Sequence, residues 1–274
     1  MLLPRLMTAV VGVPFLVLAI YFGGLPFFFV VLGIVLLGLR EFYFLASESG
    51  YPSFPVLGVV SGAFLLFSVF ANGMTFGQIT ENQGTPAVLS LILLLVVLRS
   101  LAHAPTDTSL SEWSVTFFGV IYVAWSLSYL VLLRDLRPQG QAATYLLFSM
   151  VWVEDVSAYA VGSRWGRHAI APHISPKKTW EGTIAGIVAA AGVAALFQRT
   201  VLRSALRLPD VLALAVVTAA LAFFSDLGES VLKRGAGAKD SSPLLPGHGG
   251  ILDRFDSFIL AAPFFYYYWA FAKH

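Results

Sequence analysis

The run Ser225–Ser257, SDLGESVLKRGAGAKDSSPLLPGHGGILDRFDS, is a dense polar insertion between two strongly apolar stretches, and the rest of the chain is read outward from it. Ionisable residues within or at the ends of membrane helices are costly, so their concentration here marks a functional site by default. Asp226, Glu229, Ser230 and Lys233 fall at i, i+3, i+4 and i+7, and they share one face if the preceding apolar run continues as a helix. Asp253, Asp256 and Ser257 repeat that arrangement at the start of the next apolar run, so two carboxylate-bearing helix ends face one loop. Between them lie Lys233, Arg234, Lys239 and the glycines and histidine of PGHGG, Pro246 to Gly250. Carboxylates at helix ends, loop cations and approachable glycine amides are what a metal-bound polyphosphate needs, and Mg²⁺ requires few protein carboxylates. The alternative is a connection that touches only water, and the cost of acids at helix ends in lipid argues against it.

Composition agrees with a membrane setting. Of 274 residues, 58% are hydrophobic and 12% charged, against about 25% charged in soluble domains. The absence of cysteine excludes disulfides and thiolate metal sites. A net charge of +2 singles out no partner, and no nucleic acid is expected. The N-terminal stretch MLLPRLMTAVVGVPFLVLAIYFGG has one basic residue, Arg5, and no small-residue cleavage site after its apolar run, so it reads as a retained first span.

Spans of about 20 apolar residues are expected near 5–22, 25–46, 54–72, 86–102, 114–133, 142–161, 182–198, 209–225 and 251–271. The expected fold is all-α, a polytopic integral membrane helical bundle with about nine transmembrane helices. It forms one unit over 1–274, with a hydrophobic N-terminal half over 1–140 and a catalytic half over 141–274. The first half is chemically quiet. Arg40 and Glu41 read as a local pair or a headgroup contact, and Arg99 as a snorkelling helix-end cation.

The second half differs. Glu154 and Asp155 lie in the apolar run VWVEDVSAYAVGSRWG, where Asp155, Tyr159 and Gly162 recur at helical spacing and give a face suited to a bundle interior. The loop SRWGRHAIAPHISPKKTWEG that follows carries Arg164, Arg167, His168, His173, Lys177 and Lys178. Ser175 and Pro176 read as a helix N-cap and first-turn pair, which places both lysines in the first turn of the next span, where a phosphate would also meet free backbone amides. The same lysines also fit a topogenic positive loop that binds anionic lipids generally. Gly182, Gly186, Ala190 and Ala194 form a small-residue stripe read as packing, and no histidine spacing fits a zinc site.

Charge sets the expected orientation. With nine spans and the N-terminus inside, one side collects Arg5, Arg40, Arg99, Arg164, Arg167, Lys177, Lys178, Lys233, Arg234, Lys239 and Arg254. The other keeps Arg134, Arg137, Arg199, Arg203, Arg207 and Lys273, so the richer side is read as cytoplasmic.

From Ser230 to Asp256 the string S-V-L-K-R, then K-D, then P-G-H-G-G-I-L-D-R-F-D resembles the motif of the phosphatidate cytidylyltransferases, the CDP-diacylglycerol synthases. A second block agrees: Asp155, A-Y, G-x-x-x-G and S-P-K-K-T-W-E-G. Ser225 departs from the family, which more often has Gly there. The resemblance implies Mg²⁺-dependent joining of CTP and phosphatidate to give CDP-diacylglycerol and pyrophosphate, in a homodimer of the inner (plasma) membrane. Asp226 and Asp253 are the expected metal ligands, with Asp256 and Asp155 as further candidates and a second cation possible. Lys233, Arg234 and Lys239 are expected on the triphosphate, with Lys233 also catalytic, and Gly247, His248, Gly249 and Gly250 complete the cradle. Asp240 and Arg254 join the substrate-binding set, although Arg254 and Asp256 also read as an ion pair. Lys177, Lys178, Arg164 and Arg167 are expected on the phosphatidate headgroup. Two other functions remain compatible with these residues: a CTP-dependent polyprenol kinase, and an ion-coupled transporter that uses Glu154, Asp155 and Asp226.

Overall fold

Each long apolar run of the sequence is helical in the computed structural model, which describes residues 3–76, 84–102, 107–203, 206–242 and 249–271. In chain order the elements are α1 (Leu3–Phe22), α2 (Gly24–Glu48), α3 (Pro55–Phe76), α4 (Gly84–Leu101), α5 (Ser109–Gly119), a π-helical segment (Val120–Trp125), α6 (Ser126–Asp135) and α7 (Gly140–Trp165). Strands β1 (Ala169–Ala171) and β2 (Ser175–Thr179) follow, and then α8 (Trp180–Thr200), α9 (Leu208–Gly235) and α10 (Leu252–Phe271). The π-helical segment joins α5 to α6, so Ser109–Asp135 runs as one apolar helix of 27 residues. Among the described residues five helices are long and apolar enough to cross a membrane: Gly24–Glu48, Gly84–Leu101, Ser109–Asp135, Trp180–Thr200 and Leu208–Gly235. α1 and α3 hold shorter apolar stretches, Val10–Phe22 and Pro55–Ala71, and α7 and α10 carry acidic residues. The chain is an all-α membrane bundle.

The fold divides into two compact units, each discontinuous in sequence. One is Met1–Asp135 with Leu232–Phe255, and the other is Leu136–Val231 with Asp256–His274. The chain therefore changes unit within α9 and again within α10. Leu232–Phe255, from the end of α9 to the start of α10, groups with the N-terminal helices.

In the first unit, aromatic side chains fill positions that small residues leave open. A Cβ on Gly58 or Gly119 would run into Tyr43, and one on Gly62 into Leu39. Tyr43 is buried, and its hydroxyl donates to the Thr116 carbonyl at 2.7 Å, while Thr116 Oγ1 accepts from Phe54 N at 2.8 Å. α2, α5 and the entry to α3 are thus tied at one point, which satisfies polar groups that lipid would leave orphaned. Phe28 stacks on Phe70 with centroids 4.5 Å apart, which joins α2 to α3. At the α1–α2 corner Gly23 adopts φ 62°, and Arg134 of α6 donates to the carbonyls of Ile20 and Tyr21 at 2.6 and 3.1 Å, capping α1. Arg99, expected to snorkel, lays its guanidinium 5.3 Å from the centroid of the Phe54 ring.

In the second unit α7 packs along α8 on the small-residue stripe, where Gly182, Gly186, Ala190 and Ala194 are the buried residues of α8. A Cβ on Gly182 would approach the Ala158 carbonyl to 2.6 Å, and one on Gly186 would approach Glu154 Cγ to 2.9 Å. This close helix approach is what small residues permit in lipid, so the packing reading of the stripe holds. Phe148 of α7 meets Phe258 of α10 at 4.6 Å. The hydroxyl of Ser225 on α9 donates to the Asp256 carbonyl and accepts from Leu260 N at 3.2 Å, so it spans an i, i+4 rung of α10.

The basic loop takes a form that helical periodicity does not show. β1 and β2 pair antiparallel, with Ala169 opposite Thr179 and Ala171 opposite Ser175. The expected N-cap at Ser175 is corrected: Thr179, with extended φ −124° and ψ 151°, caps α8 by accepting from Gly182 N at 3.3 Å. Lys177 and Lys178 therefore lie on β2 and not in a first helical turn. Strand pairing satisfies the backbone there, and a Pro at 176 is tolerated on a two-stranded edge. His168 closes the hairpin, its Nδ1 2.6 Å from Glu181 Oε1 and its carbonyl accepting from Trp180 N at 3.0 Å.

Candidate active site

α9 delivers the first group of side chains. Its run of Asp226 and Glu229 brings two carboxylates to one side of the helix, and Asp256 from α10 completes the set. One ligand oxygen from each of the three lies within 4.8 Å of the others, and Glu229 and Asp256 are buried. Among the described residues this is the group of carboxylates close enough to share a metal ion. Asp256 Oδ1 accepts from Ser257 N at 2.6 Å, and the Ser225 hydroxyl holds the Asp256 backbone, so the position of Asp256 on α10 is fixed from both sides. Lys178 comes in from β2 and places Nζ 2.7 Å from Asp226 Oδ2 and 4.9 Å from the centroid of the Phe223 ring. Buried carboxylates this close repel one another unless cations stand among them, and Lys178 supplies one. An all-oxygen, multiply anionic donor set suits a hard divalent cation such as Mg²⁺ and does not suit soft metals.

The second group belongs to the other unit and is built around Asp253 in the first turn of α10. Asp253 Oδ1 accepts from Lys233 Nζ at 2.6 Å. Asp253 Oδ2 receives Gly250 N at 2.7 Å, Ser241 N at 2.9 Å and Ser241 Oγ at 3.0 Å. Its two oxygens thus take four donors, which makes Asp253 the hub of the contacts among Lys233, Ser241 and Gly250. Lys233, at 12% side-chain exposure, and Asp253, at 7%, form a buried ion pair.

The expected site residues fall as follows. Asp226 and Asp256 stand together, joined by Glu229, and Asp253 takes Lys233, Ser241 and Gly250 as its hydrogen-bond partners. Asp155 lies exposed on α7 outside the carboxylate group, while its neighbour Glu154 is buried against α8. Arg164 lies over Trp165 at 5.3 Å, and Arg167 and Lys177 are exposed on the hairpin side of α8 with Lys178 half-buried. Arg234 donates to the Ala238 carbonyl at 3.2 Å, and Lys239, Asp240 and Arg254 are exposed. Gly249, at φ 79°, and Gly250 flank Asp253, whereas Gly247 and His248 lie outside the described residues.

Two acidic residues join the groups without having been assigned there. Glu229 shares the face of α9 with Asp226, so the i, i+3 spacing contained the signal for it. Glu41 of α2 is 4% exposed, and both of its oxygens accept hydrogen bonds from the loop around Asp253. It is neither the local pair with Arg40 nor the headgroup contact expected of it. No periodicity links residues separated by 200 positions in the chain.

Comparison with known proteins gives the family. A model described as the Cytidylyltransferase family matches residues 3–272. The chain is similar to the phosphatidate cytidylyltransferase of Bacillus subtilis, 36% identical over 182 residues, which is 65% of this chain and 66% of that protein. It is also similar to that of Synechocystis, 28% identical over 291 residues and 96% of this chain, and to that of Staphylococcus epidermidis, 30% identical over 263 residues and 94% of this chain. The alignment spans about two thirds of the Bacillus protein and 95% of each of the other two. With the match running through both polar blocks and almost the whole chain, the protein belongs to the cytidylyltransferase family.

Proposed function

We propose that the protein transfers the cytidylyl group of CTP to phosphatidate, releasing pyrophosphate and forming CDP-diacylglycerol for phospholipid synthesis. The observation that carries this reading is the group of Asp226, Glu229 and Asp256 with Lys178 paired against it. A transporter has no need of a lysine-bearing hairpin beside such a group, whereas joining two polyanions requires both signs of charge.

In the reaction a phosphate oxygen of phosphatidate forms a bond to the α-phosphorus of CTP, and the bond from that phosphorus to the bridging oxygen of the β-phosphate breaks. A phosphate monoester has its second pKa near 6 and is largely a dianion at neutral pH, so the attacking oxygen needs no general base. The residues have to neutralise charge and hold the reactants in line. Lys178 meets the phosphatidate headgroup with Lys177, Arg164 and Arg167, which the hairpin and the end of α7 bring to the same unit. Lys233, with Arg234 and Lys239, receives the triphosphate and the departing pyrophosphate. Asp226, Glu229 and Asp256 would hold Mg²⁺, which supplies charge neutralisation on phosphate oxygens when bound. Asp253 keeps Lys233 extended toward the loop that precedes α10.

The resemblance of the two motif blocks supports a homodimer in the inner (plasma) membrane. The excess of basic residues on the hairpin side supports a cytoplasmic active face, where nucleotides are found. The test is a product assay on purified protein with phosphatidate and CTP labelled at the α-phosphate. Label in the lipid together with equimolar pyrophosphate supports nucleotidyl transfer. Release of a nucleoside diphosphate with an unlabelled phospholipid would instead identify a lipid kinase.

A further inference from the structure

The carboxylate of Glu41 gathers Ser241 and Ser242, which follow α9, with Ile251 and Leu252 at the start of α10. Glu41 Oε1 accepts from Ser242 Oγ at 2.6 Å and from Ile251 N at 3.1 Å. Glu41 Oε2 accepts from Ser241 Oγ at 3.0 Å and from Leu252 N at 2.7 Å. Each oxygen thus takes one serine hydroxyl and one backbone N–H from the start of α10. Ile251 N and Leu252 N are at the start of α10, where backbone N–H groups have no partner within the helix. An anion from α2 satisfies them, and it does so in a buried setting where hydrogen bonds to a charged acceptor are strongest. The fit leaves no spare room, since a Cβ built on Gly250 would fall on Ser241 Oγ and Glu41 Oε2. The Ser241 hydroxyl is shared with Asp253 Oδ2 at 3.0 Å, and Asp253 in turn holds Lys233 at 2.6 Å. A continuous chain of hydrogen bonds therefore runs from Glu41 through Ser241 and Asp253 to the ammonium group of Lys233, all within one unit.

We infer that Glu41 is a positioning residue for nucleotide binding: it ties Ser241 and Ser242 to the start of α10 so that Asp253 holds Lys233 set in advance for the phosphates of CTP. The inference rests on the reading above that Lys233 receives the phosphates of CTP. The effect of Glu41 travels through Ser241 and Asp253 to Lys233. Glutamine keeps its shape but turns one oxygen into an NH₂ donor. Whichever way the amide is flipped, that donor confronts a backbone N–H, Ile251 on one side or Leu252 on the other, and neither can reverse its role.

The experiment measures KM for CTP and for phosphatidate separately in mixed micelles, for wild type, Glu41→Gln, Glu41→Asp, Ser242→Ala and Lys233→Ala, together with the unfolding midpoint of each without nucleotide. Glu41→Gln is expected to raise KM for CTP about tenfold or more, the scale of one lost hydrogen bond to a charged group. KM for phosphatidate should stay within about twofold, and Glu41→Asp, which keeps two acceptor oxygens, should be intermediate. An equal rise in both constants, a loss confined to kcat, or no change overturns the inference. If Glu41→Gln cannot be recovered folded, Ser242→Ala decides: a rise of about threefold in KM for CTP alone supports the clamp, and an unchanged constant overturns it. Lys233→Ala separates the two levels. A raised KM for CTP there with an unaffected Glu41→Gln defeats the clamp alone, whereas an unchanged KM for CTP in Lys233→Ala removes the nucleotide reading and the clamp with it.

Discussion

Lys178, on the strand that leads into α8, places its ammonium nitrogen 2.7 Å from Asp226 Oδ2 on α9, with 19% of the lysine side chain and 31% of the aspartate exposed. A half-buried pair of this kind is worth more than a surface bridge, because removal of one partner leaves the other charge partly desolvated. A β-hairpin, rather than a helix end, makes the pair possible. A strand side chain stands out from the backbone toward α9, and α8 then starts cleanly at its Thr179 cap.

The first consequence concerns phosphatidate. Lys178→Ala should raise KM for phosphatidate about tenfold, as removal of one member of a partly buried charge pair does, while Lys177→Ala on the exposed part of β2 should change it by less than about threefold. Kinetics at varied surface concentration of phosphatidate in mixed micelles measure both.

Packing of α7 on α8 makes a paired prediction. A side chain at 186 meets Glu154 Cγ and the Glu154 carbonyl at 2.9 and 3.0 Å, whereas at Gly192 of the same helix nothing lies within 4 Å. Gly186→Ala should cost about 1–3 kcal/mol through overpacking. Gly192→Ala should be neutral or slightly stabilising, because Ala is the better helix former. Thermal unfolding in one detergent compares the two directly.

Much of this was legible in the sequence, and the reason is local. Asp226, Glu229 and Lys233 sit on one helix, and the Gly182–Ala194 stripe recurs every four residues, so the helical period alone predicts their faces. The rest depends on residues remote in sequence. Glu41 meets Ser241 across 200 positions, and Lys178 reaches Asp226 from a hairpin whose register is fixed by strand pairing and not by hydrophobic periodicity. Asp253 repeats the spacing of Asp226 at a helix end, but spacing does not show that Ser241, Gly250 and Lys233 donate to it.

Ser225 offers a stability test on α10. Its hydroxyl spans the Asp256 carbonyl and Leu260 N, so Ser225→Ala removes two contacts and should lower stability by about 1–2 kcal/mol. Because Asp256 loses a backbone anchor, the affinity for divalent cations should weaken in the same variant, a change that isothermal titration can follow beside the melting curve.

Gly250 tests the tightness of the loop before α10. Gly250→Ala drives a methyl group into Ser241 Oγ and Glu41 Oε2 and should reduce kcat/KM for CTP by up to about 10²-fold, the cost of a displacement of roughly 1 Å in a binding element. The radiolabelled incorporation assay measures it, with the Gly237→Ala variant as a guide to the cost of a loop glycine at φ 64° that has open space around it.

We propose that Asp226, Glu229 and Asp256, whose carboxylate oxygens lie within 4.8 Å of one another, would together hold a divalent cation used in the reaction. Titration of purified protein with Mn²⁺, followed by electron paramagnetic resonance, measures that binding without reference to turnover. Asp256→Asn and Glu229→Gln should each raise Kd at least about tenfold, or 1.4 kcal/mol, while Asp155→Asn, exposed and outside the group, should raise it less. Wild-type affinity retained in both Asp256→Asn and Glu229→Gln would contradict the assignment.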